Sequence, residues 1–263
     1  MDIRNTGGIR YIIMKREIFE WSWESEAGQD SFSRCVGFKD EKASRAEVLQ
    51  IESLLRLTPC RMIDIGCGNG RQALIFAEKG YTVTGIDIAS RFLETAKQNA
   101  NKMHLAVDFQ QKRASELTQK DVFDFALAYN HNIGFLSDKE RLLHFRKIYA
   151  CLHDGGIFFM KTAGPQITEN AQNYTLRDWN ETEKEFILVD KKIENGYRYE
   201  KCITIDKDSG DIKEYREKQR AFSLQEIINI LQGAGFQKIT CYADFERTPA
   251  DVNHFGIFIC QKS

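Results

Sequence analysis

The middle of the chain alternates short apolar runs with stretches of helical periodicity. Five runs are typical of buried strands: residues 61–66, 81–87, 105–111, 122–129 and 157–162. Between them, apolar positions recur at helical spacing, which predicts helices over residues 71–78, 90–101 and 137–152. Ser90 and Ser137 stand where side-chain caps are expected. Strands that alternate with helices through short connections predict a parallel sheet covered by helices on both faces.

The pattern changes after residue 163. Residues 164–182 are polar and irregular, and period-two alternation then predicts an antiparallel insert of about three strands at 185–190, 198–206 and 212–222. Ser223 and Glu226 form a capping box that begins a last helix, and two final strands are predicted at 236–244 and 254–261 as a hairpin at the sheet edge.

The chain therefore divides into four predicted parts. Residues 1–45 fit no sheet, carry many aromatic side chains and are interpreted as a helical lid. An amphipathic helix over 46–57 opens the core, which spans 46–163. The insert covers 164–222, and residues 223–263 complete the core.

Composition limits the class of protein. The 263 residues are 42% hydrophobic and 29% charged, which excludes global disorder. The net charge of −1 argues against a nucleic-acid partner, because phosphate binding needs a basic excess or a basic face. No apolar run approaches the roughly 18 residues of a membrane span, and the first residues lack the apolar core of a signal peptide, so no membrane association is expected.

The seven cysteines are widely spaced, odd in number and without a CxxC pair. This pattern argues against a disulfide framework and against a metal site. A reduced, cytoplasmic location is the resulting expectation.

A glycine-rich loop gives the sharpest chemical signal. Residues 64–70 read Asp-Ile-Gly-Cys-Gly-Asn-Gly, between a predicted strand and a predicted helix. Glycines there allow a tight turn and let a ligand approach backbone N–H groups. The next strand ends in Asp87, whose carboxylate can accept two hydrogen bonds from a ribose diol. Alternatively, Asp87 only caps the following helix.

Two cofactor classes fit this geometry. A dinucleotide places its pyrophosphate at the helix N-terminus, where the nearby carboxylate of Asp64 would repel it. S-adenosylmethionine carries a sulfonium and an ammonium group instead, which a carboxylate favours. Asp64 therefore favours S-adenosylmethionine over NAD.

The same residues carry a family resemblance. Residues 62–87 resemble motif I and the following acidic position of class I S-adenosylmethionine-dependent methyltransferases, and Leu152–Gly156 resembles their L-x-x-G-G turn. Residues 123–128 and 135–138 are similar to the fourth strand and to the start of the helix after it. The resemblance covers residues 46–163 and implies a three-layer, Rossmann-like, seven-stranded and mostly parallel α/β sheet. The antiparallel insert resembles the small-molecule branch that includes sugar amine N-methyltransferases.

The resemblance also implies residue roles at the cofactor. Asp64 and Gly66 would face the methionine end, Asp87 the ribose, and Ile88 the adenine. The full cofactor set that it implies is Asp64, Gly66, Cys67, Gly68, Gly70, Asp87, Ile88, Ala114, Ser115, Tyr129 and Asn130.

One position departs from the family pattern. Where members often have Gly-Asp-Ala, this chain has Lys112-Arg113-Ala114. A guanidinium has no acceptor for the adenine amine, so Ser115, Glu116 or a backbone carbonyl would have to accept it.

Methyl transfer is an in-line displacement for which the protein mainly aligns the nucleophile. His131, after the fourth strand, is the candidate general base, although it could only line the passage between cofactor and acceptor. Tyr11, Trp21 and Trp23 are candidate substrate contacts with His131, as part of an aromatic lid. Alternatively, these rings only attach the leader to the sheet.

The sequence thus predicts an S-adenosylmethionine-dependent methyltransferase that acts on a nitrogen or oxygen atom of a small molecule. An NAD-dependent oxidoreductase and a non-catalytic cofactor-binding module of the same fold are the alternatives. Neither the acceptor nor the oligomeric state can be read from these patterns.

Overall fold

The structure is a computed structural model that describes residues 5–6, 9–10, 15–20, 22–35, 38–131, 133–162 and 175–263. The chain forms two compact units. The smaller comprises Met1–Gly37 and Asn173–Lys218, and the larger comprises Phe38–Gln172 and Gln219–Ser263. Within the described ranges, no helix is both long and apolar enough to cross a membrane.

Six helices and fourteen strands are found in the described residues. The helices are α1 (Glu26–Cys35), α2 (Glu41–Leu55), α3 (Arg71–Glu78), α4 (Ser90–Lys102), α5 (Asp138–Cys151) and α6 (Leu224–Ala234). The strands are β1 (Asn5–Thr6), β2 (Ile9–Arg10), β3 (Arg16–Glu20), β4 (Arg61–Ile65), β5 (Thr82–Asp87), β6 (Asp108–Gln111), β7 (Phe123–His131), β8 (Leu152–Thr162), β9 (Thr175–Glu181), β10 (Glu185–Glu194), β11 (Tyr197–Asp206), β12 (Ile212–Arg220), β13 (Lys238–Tyr242) and β14 (Ile257–Gln261).

A seven-stranded sheet forms the centre of the larger unit, in the order β13-β14-β8-β7-β4-β5-β6. Strands β4 to β8 pair in parallel, and β14 joins β8 and β13 in antiparallel fashion. This confirms the predicted α/β class, the five parallel strands and the final hairpin at the sheet edge. All five parallel strands end at one edge, which brings the glycine loop, Asp87 and the end of β7 together.

Apolar side chains cover both faces of this sheet. On one face, Phe145 of α5 and Phe158 of β8 belong to a buried cluster that includes residues of α6. On the other, Phe76 of α3 and Phe125 of β7 pack with residues of α2 and α4. Strand β7 is buried at five consecutive positions, which is why its sequence reads as a continuous apolar run rather than an alternating one.

Helix starts agree with the sequence where a side chain caps them. Ser137 and Ser223 each accept from the backbone N–H three residues on, and a glutamate completes both capping boxes. The predicted Ser90 cap is wrong: α4 follows Ala89 and has no side-chain cap. Helix α2 begins five residues earlier than predicted, because Asp40 accepts from the Ala43 N–H and caps it there.

The smaller unit holds a five-stranded sheet in the order β3-β12-β11-β10-β9. Ile187, Cys202 and Tyr215 form its buried cluster, with the Phe19 ring stacked 5.3 Å from that of Tyr215. Strands β10, β11 and β12 agree with the predicted insert. Cys202 is disulfide-bonded, a bond that the cysteine pattern, which argued against a disulfide framework, did not predict.

Two further expectations about this unit are wrong. Arg16–Glu20 is not outside a sheet but pairs in parallel with β12, a partner about 196 residues away that no local pattern reveals. Thr175–Glu181 is not irregular: it forms an edge strand whose side chains from Leu176 onward are exposed, so the strand carries no apolar alternation.

Gly85 tests the packing of the parallel sheet. A Cβ at this position would lie 2.7 Å from two carbons of the buried Phe109 ring and 3.0 Å from Cys67 Sγ. We expect Gly85→Ala to lower the free energy of unfolding by about 1–3 kcal/mol through overpacking, measured by urea denaturation. Gly233→Ala, whose Cβ would meet only Leu142 Cδ1 at 3.5 Å, is the control and should not destabilise. Equal stability of both variants would contradict the packing argument.

Candidate active site

The loop between β4 and α3 turns through three left-handed glycines. Gly66, Gly68 and Gly70 have φ values of 72°, 56° and 78°, a region that side chains with a Cβ rarely adopt. The N–H groups of Gly66 and Cys67 donate to the Ile86 carbonyl at 2.8 and 3.0 Å. The loop is thereby fixed to the end of β5, next to Asp87.

Asp87 joins this loop to the start of α4. Its Oδ2 accepts from the Gly68 N–H and its Oδ1 from the Ala89 N–H, both at 2.8 Å. Burial raises the pKa of the carboxyl, and these backbone hydrogen bonds oppose the rise. Asp87 thus contacts the glycine loop and the residue that precedes α4, and its proposed contact with a ribose diol stays a prediction. Each oxygen keeps a further lone pair for a ligand hydroxyl.

Asp64 lies beneath the loop with an unpaired oxygen. The residue is 2% exposed, and its Oδ2 is buried without a hydrogen-bond partner. Burial raises the pKa of this carboxyl to about 7, while the positive charge of Arg71 opposes the rise. The Oδ1 of Asn69, in the same loop, is also buried and unpaired. Unpaired buried acceptors are costly, so these two oxygens mark a place where a hydrogen-bond donor or a cation would be stabilised.

The residues predicted for the adenine end follow β5 and β6. Ile88 is partly exposed, and Ala114 is buried at the start of a short 3-10 helix, Ala114–Glu116. The Arg113 N–H donates to Glu116 Oε2 at 2.9 Å, which occupies one of the oxygens that could have accepted from adenine. Partly exposed Ser115 stands beside them.

His131 at the end of β7 pairs with His144 of α5. Asn130 has a left-handed φ of 53°, and the strand register shifts between Tyr129 and His131. The His131 and His144 rings stack 4.8 Å apart, and their Nε2 atoms lie 2.9 Å from each other. His131 Nδ1 faces the glycine loop, 3.6 Å from where a Cβ on Gly66 would stand.

Burial keeps this pair neutral. It lowers the pKa of His131 to about 4, and burial together with His131 lowers that of His144 well below the ordinary value. One Nε2 must therefore carry the shared proton while the other accepts it.

Tyr129 lies on the α2 and α3 face of the sheet. Its ring stacks on Phe159 with centroids 6.5 Å apart, and its hydroxyl hydrogen-bonds Glu47. Arg71 and Lys161 stand over the ring, at 5.5 and 5.1 Å from its centroid. Tyr129 is thus buried, with its ring against two cations and its hydroxyl on Glu47, and it offers little surface to a ligand.

The aromatic leader is described only in part. Tyr11 and Trp21 lie outside the described residues. Trp23 belongs to the smaller unit, where its ring packs against Phe32 at 5.2 Å and its carbonyl accepts from Gln29. The proposed substrate role of these rings stays a prediction.

Four residues at this edge were missed by the sequence reading: Asn69, Arg71, His144 and Lys161. Asn69 and Arg71 could have been noticed, because they lie within or next to the glycine motif. No local sequence pattern indicated His144 and Lys161. His144 reaches this edge because α5 packs beside β7, and Lys161 because β8 pairs with β7.

A comparison with protein families matches part of the larger unit. Residues 62–156 match the family model of the methyltransferase domain. A Geobacillus sp. (strain WCH70) protein, described provisionally as a methyltransferase, is 22% identical over 208 residues, which cover 77% of this chain and 84% of the relative. A ubiquinone biosynthesis O-methyltransferase of Rhodopseudomonas palustris (strain TIE-1) is 36% identical over 93 residues, which cover 35% of this chain and 37% of that enzyme.

Solved structures share the fold. The S-adenosylmethionine-bound structure of an amino pentose methyltransferase from Micromonospora echinaspora superposes with a TM-score of 0.65 at 16% identity. The match covers 89% of this chain and 96% of that one. At this identity the likeness concerns the architecture alone.

Proposed function

We propose that this chain, which is a class I S-adenosylmethionine-dependent methyltransferase, methylates a small molecule at a nitrogen or oxygen atom. Because the chain is a methyltransferase of this class, the NAD-dependent oxidoreductase and the non-catalytic module are set aside. The similar O-methyltransferase of ubiquinone biosynthesis, 36% identical over 93 residues, supports a small acceptor. The observation that carries the cofactor assignment to particular residues is the unpaired Asp64 oxygen beneath a left-handed glycine loop.

The cofactor fits the residues at this edge. When bound, it supplies the activated methyl group on a sulfonium. In the proposed arrangement, Asp87 accepts from the ribose hydroxyls through its remaining lone pairs. The buried charge of Asp64 stabilises the positive end of the cofactor in a low-dielectric setting. Ile88, Ala114 and Ser115 are proposed to contact the adenine.

We propose that His131 takes the proton from the hydroxyl or ammonium group of the methyl acceptor. Its Nδ1 faces the loop, and its Nε2 contacts His144. When Nε2–H of His131 donates to the lone pair of His144 Nε2, the Nδ1 lone pair is free to take the proton. The cation that results keeps its Nε2–H bond, so His144 acts as a positioning residue for the base.

Two measurements test the proposal. Titration with S-adenosylhomocysteine by calorimetry should give one site per chain. Transfer of a labelled methyl group from S-adenosylmethionine to the small-molecule fraction of a cell extract should yield a labelled metabolite. No binding at millimolar S-adenosylhomocysteine, or label appearing only in macromolecules, would overturn it.

Asp64 should link cofactor binding to pH. A bound ammonium or sulfonium favours the carboxylate, so binding lowers a pKa that burial has raised to about 7. Below pH 7 binding therefore releases a proton, and affinity for S-adenosylmethionine rises with pH by up to about tenfold per unit before levelling above pH 7.

Calorimetry at pH 6 in two buffers of different ionisation enthalpy measures this proton release. Asp64→Asn should abolish it, and Asp108→Asn, at an exposed carboxylate on β6, should not. Equal proton release in wild type and Asp64→Asn would remove Asp64 from this role.

A further inference from the structure

Three cations meet around one carboxylate in the larger unit. Lys39, Arg71 and Lys161, with Glu47 and Tyr129 between them, form what we call the basic cluster. It lies where β7 and β8 end and α3 begins, at the edge of the sheet that carries the glycine loop.

The carboxylate of the basic cluster is already fully engaged. Glu47 is 5% exposed and accepts from Lys39 Nζ at 2.8 Å, from Arg71 Nη1 and from Gln72 Nε2 at 3.0 Å. Although burial opposes it, the hydrogen bonds from Lys39 and Arg71 lower the pKa of Glu47, so it is ionised at neutral pH. Glu47 thus supplies one negative charge for three positive ones, and Arg71 additionally acts on the buried Asp64.

Lys161 carries the surplus charge. Its ammonium stands 5.1 Å above the Tyr129 ring, and among the described residues it has no ion-pair partner. Burial lowers its pKa and repulsion by Lys39 and Arg71 lowers it further, while attraction to Glu47 opposes the shift in part. A partly buried cation held beside two others is unfavourable in the free protein, and an anion would relieve this.

The position of Lys161 separates it from the proposed cofactor residues. It pairs with Tyr129 across β7 and β8, and Thr162 beside it pairs with His131. The glycine loop and Asp87 follow β4 and β5, on the other side of β7. Two strand spacings, about 10 Å, separate β8 from β4. Along the sheet edge, Lys161 is therefore nearer to β7, which carries the proposed base, than to β4 and β5. Its ring contact Tyr129 lies on the α2 and α3 face, whereas His131 contacts α5 on the opposite face.

We infer that the basic cluster binds a carboxylate or phosphate group of the methyl acceptor, with Lys161 as the main contact. This rests on the proposed function. The Lys161 ammonium has three N–H donors for anionic oxygens, and the Tyr129 ring holds it in place without using one of them. The carboxylate of the cofactor's methionine part offers the same chemistry, and the experiment separates the two sources.

Inorganic phosphate is the probe, added to the full chain at constant ionic strength and followed by calorimetry with and without saturating S-adenosylhomocysteine. We expect one site, unaffected by S-adenosylhomocysteine, with an affinity about tenfold or more weaker in Lys161→Gln. Lys97→Gln, at an exposed lysine of α4, removes the same charge and should leave phosphate binding unchanged.

Three results would overturn the inference: no phosphate site, equal affinity in Lys161→Gln and wild type, or competition between phosphate and S-adenosylhomocysteine. The last would assign the cluster to the cofactor's carboxylate. Failure of the proposed function is a separate outcome, because it appears as a lack of S-adenosylhomocysteine binding in wild type. Retained S-adenosylhomocysteine binding by Lys161→Gln shows that this variant is folded.

Discussion

Replacing His131 by alanine is expected to lower the rate of methyl transfer by about 10²- to 10⁴-fold at saturating cofactor, the usual contribution of a positioned general base. Its Nδ1 is the proposed proton acceptor, and burial keeps the ring neutral by lowering its pKa to about 4. The wild-type rate should therefore be flat above about pH 5 and fall as the pH drops through 4, where protonation fills the Nδ1 lone pair. Initial rates of label transfer across this pH range measure both effects.

His131→Ala should bind S-adenosylhomocysteine as wild type does, which separates proton transfer from loss of the site. His254→Ala is the matched control, because this histidine is exposed and contacts only Asp251 in the described part of the chain. His144→Ala should slow transfer less than His131→Ala and raise the pH at which the rate falls, since it opens the His131 ring to water. A rate for His131→Ala within about threefold of wild type would leave His131 as a lining residue.

Asp87→Ala is expected to weaken S-adenosylhomocysteine binding by about 100-fold. Two charge-assisted hydrogen bonds to the ribose diol are lost, each of the order of 1.5 kcal/mol. The loop also loses a support, because Asp87 Oδ2 accepts from the Gly68 N–H. Calorimetric titration gives the affinity, and thermal unfolding of the free protein gives the loss of loop stability separately.

A sugar probe distinguishes the ribose contact from that structural effect. Wild type should prefer adenosine over 2′-deoxyadenosine, and Asp87→Ala should bind both equally. Asp108→Ala, at an exposed carboxylate of β6, should keep the preference. If Asp87→Ala still discriminated between the two nucleosides, the carboxylate would serve only the loop and the start of α4.

The loop and carboxylate of the proposed cofactor side could be placed from the sequence because their signals are local. The glycine loop and Asp87 follow strands whose apolar runs are readable, and parallel pairing then brings them together. The proposed acceptor side could not. His131 is visible as a residue, but its partner His144 comes from the far side of a turn, and the fit of the two rings depends on the register shift in β7.

The clustering of charged side chains in the basic cluster could not be predicted from the sequence either. Glu47 and Arg71 are 24 residues apart in sequence, and Lys161 is a further 90 residues along the chain. Each alone is an ordinary charged residue next to an apolar run. Only the folded sheet shows that Lys39 and Arg71 share the Glu47 carboxylate and that Lys161 stands beside them. Similarly, the sequence of Thr175–Glu181 shows no alternating apolar face that would predict a strand, because this segment lies at the edge of its sheet.

The pairing of β3 with β12 has a consequence for biosynthesis. Lys15 contacts Asp211, which emerges from the ribosome 196 residues later. At a translation rate of about 5–20 residues per second, β3 is synthesised on the order of 10–40 s before its partner β12. During that interval its backbone is open to other strands or to chaperones. Slowing translation over residues 20–210 should therefore increase the misassembly of nascent chains.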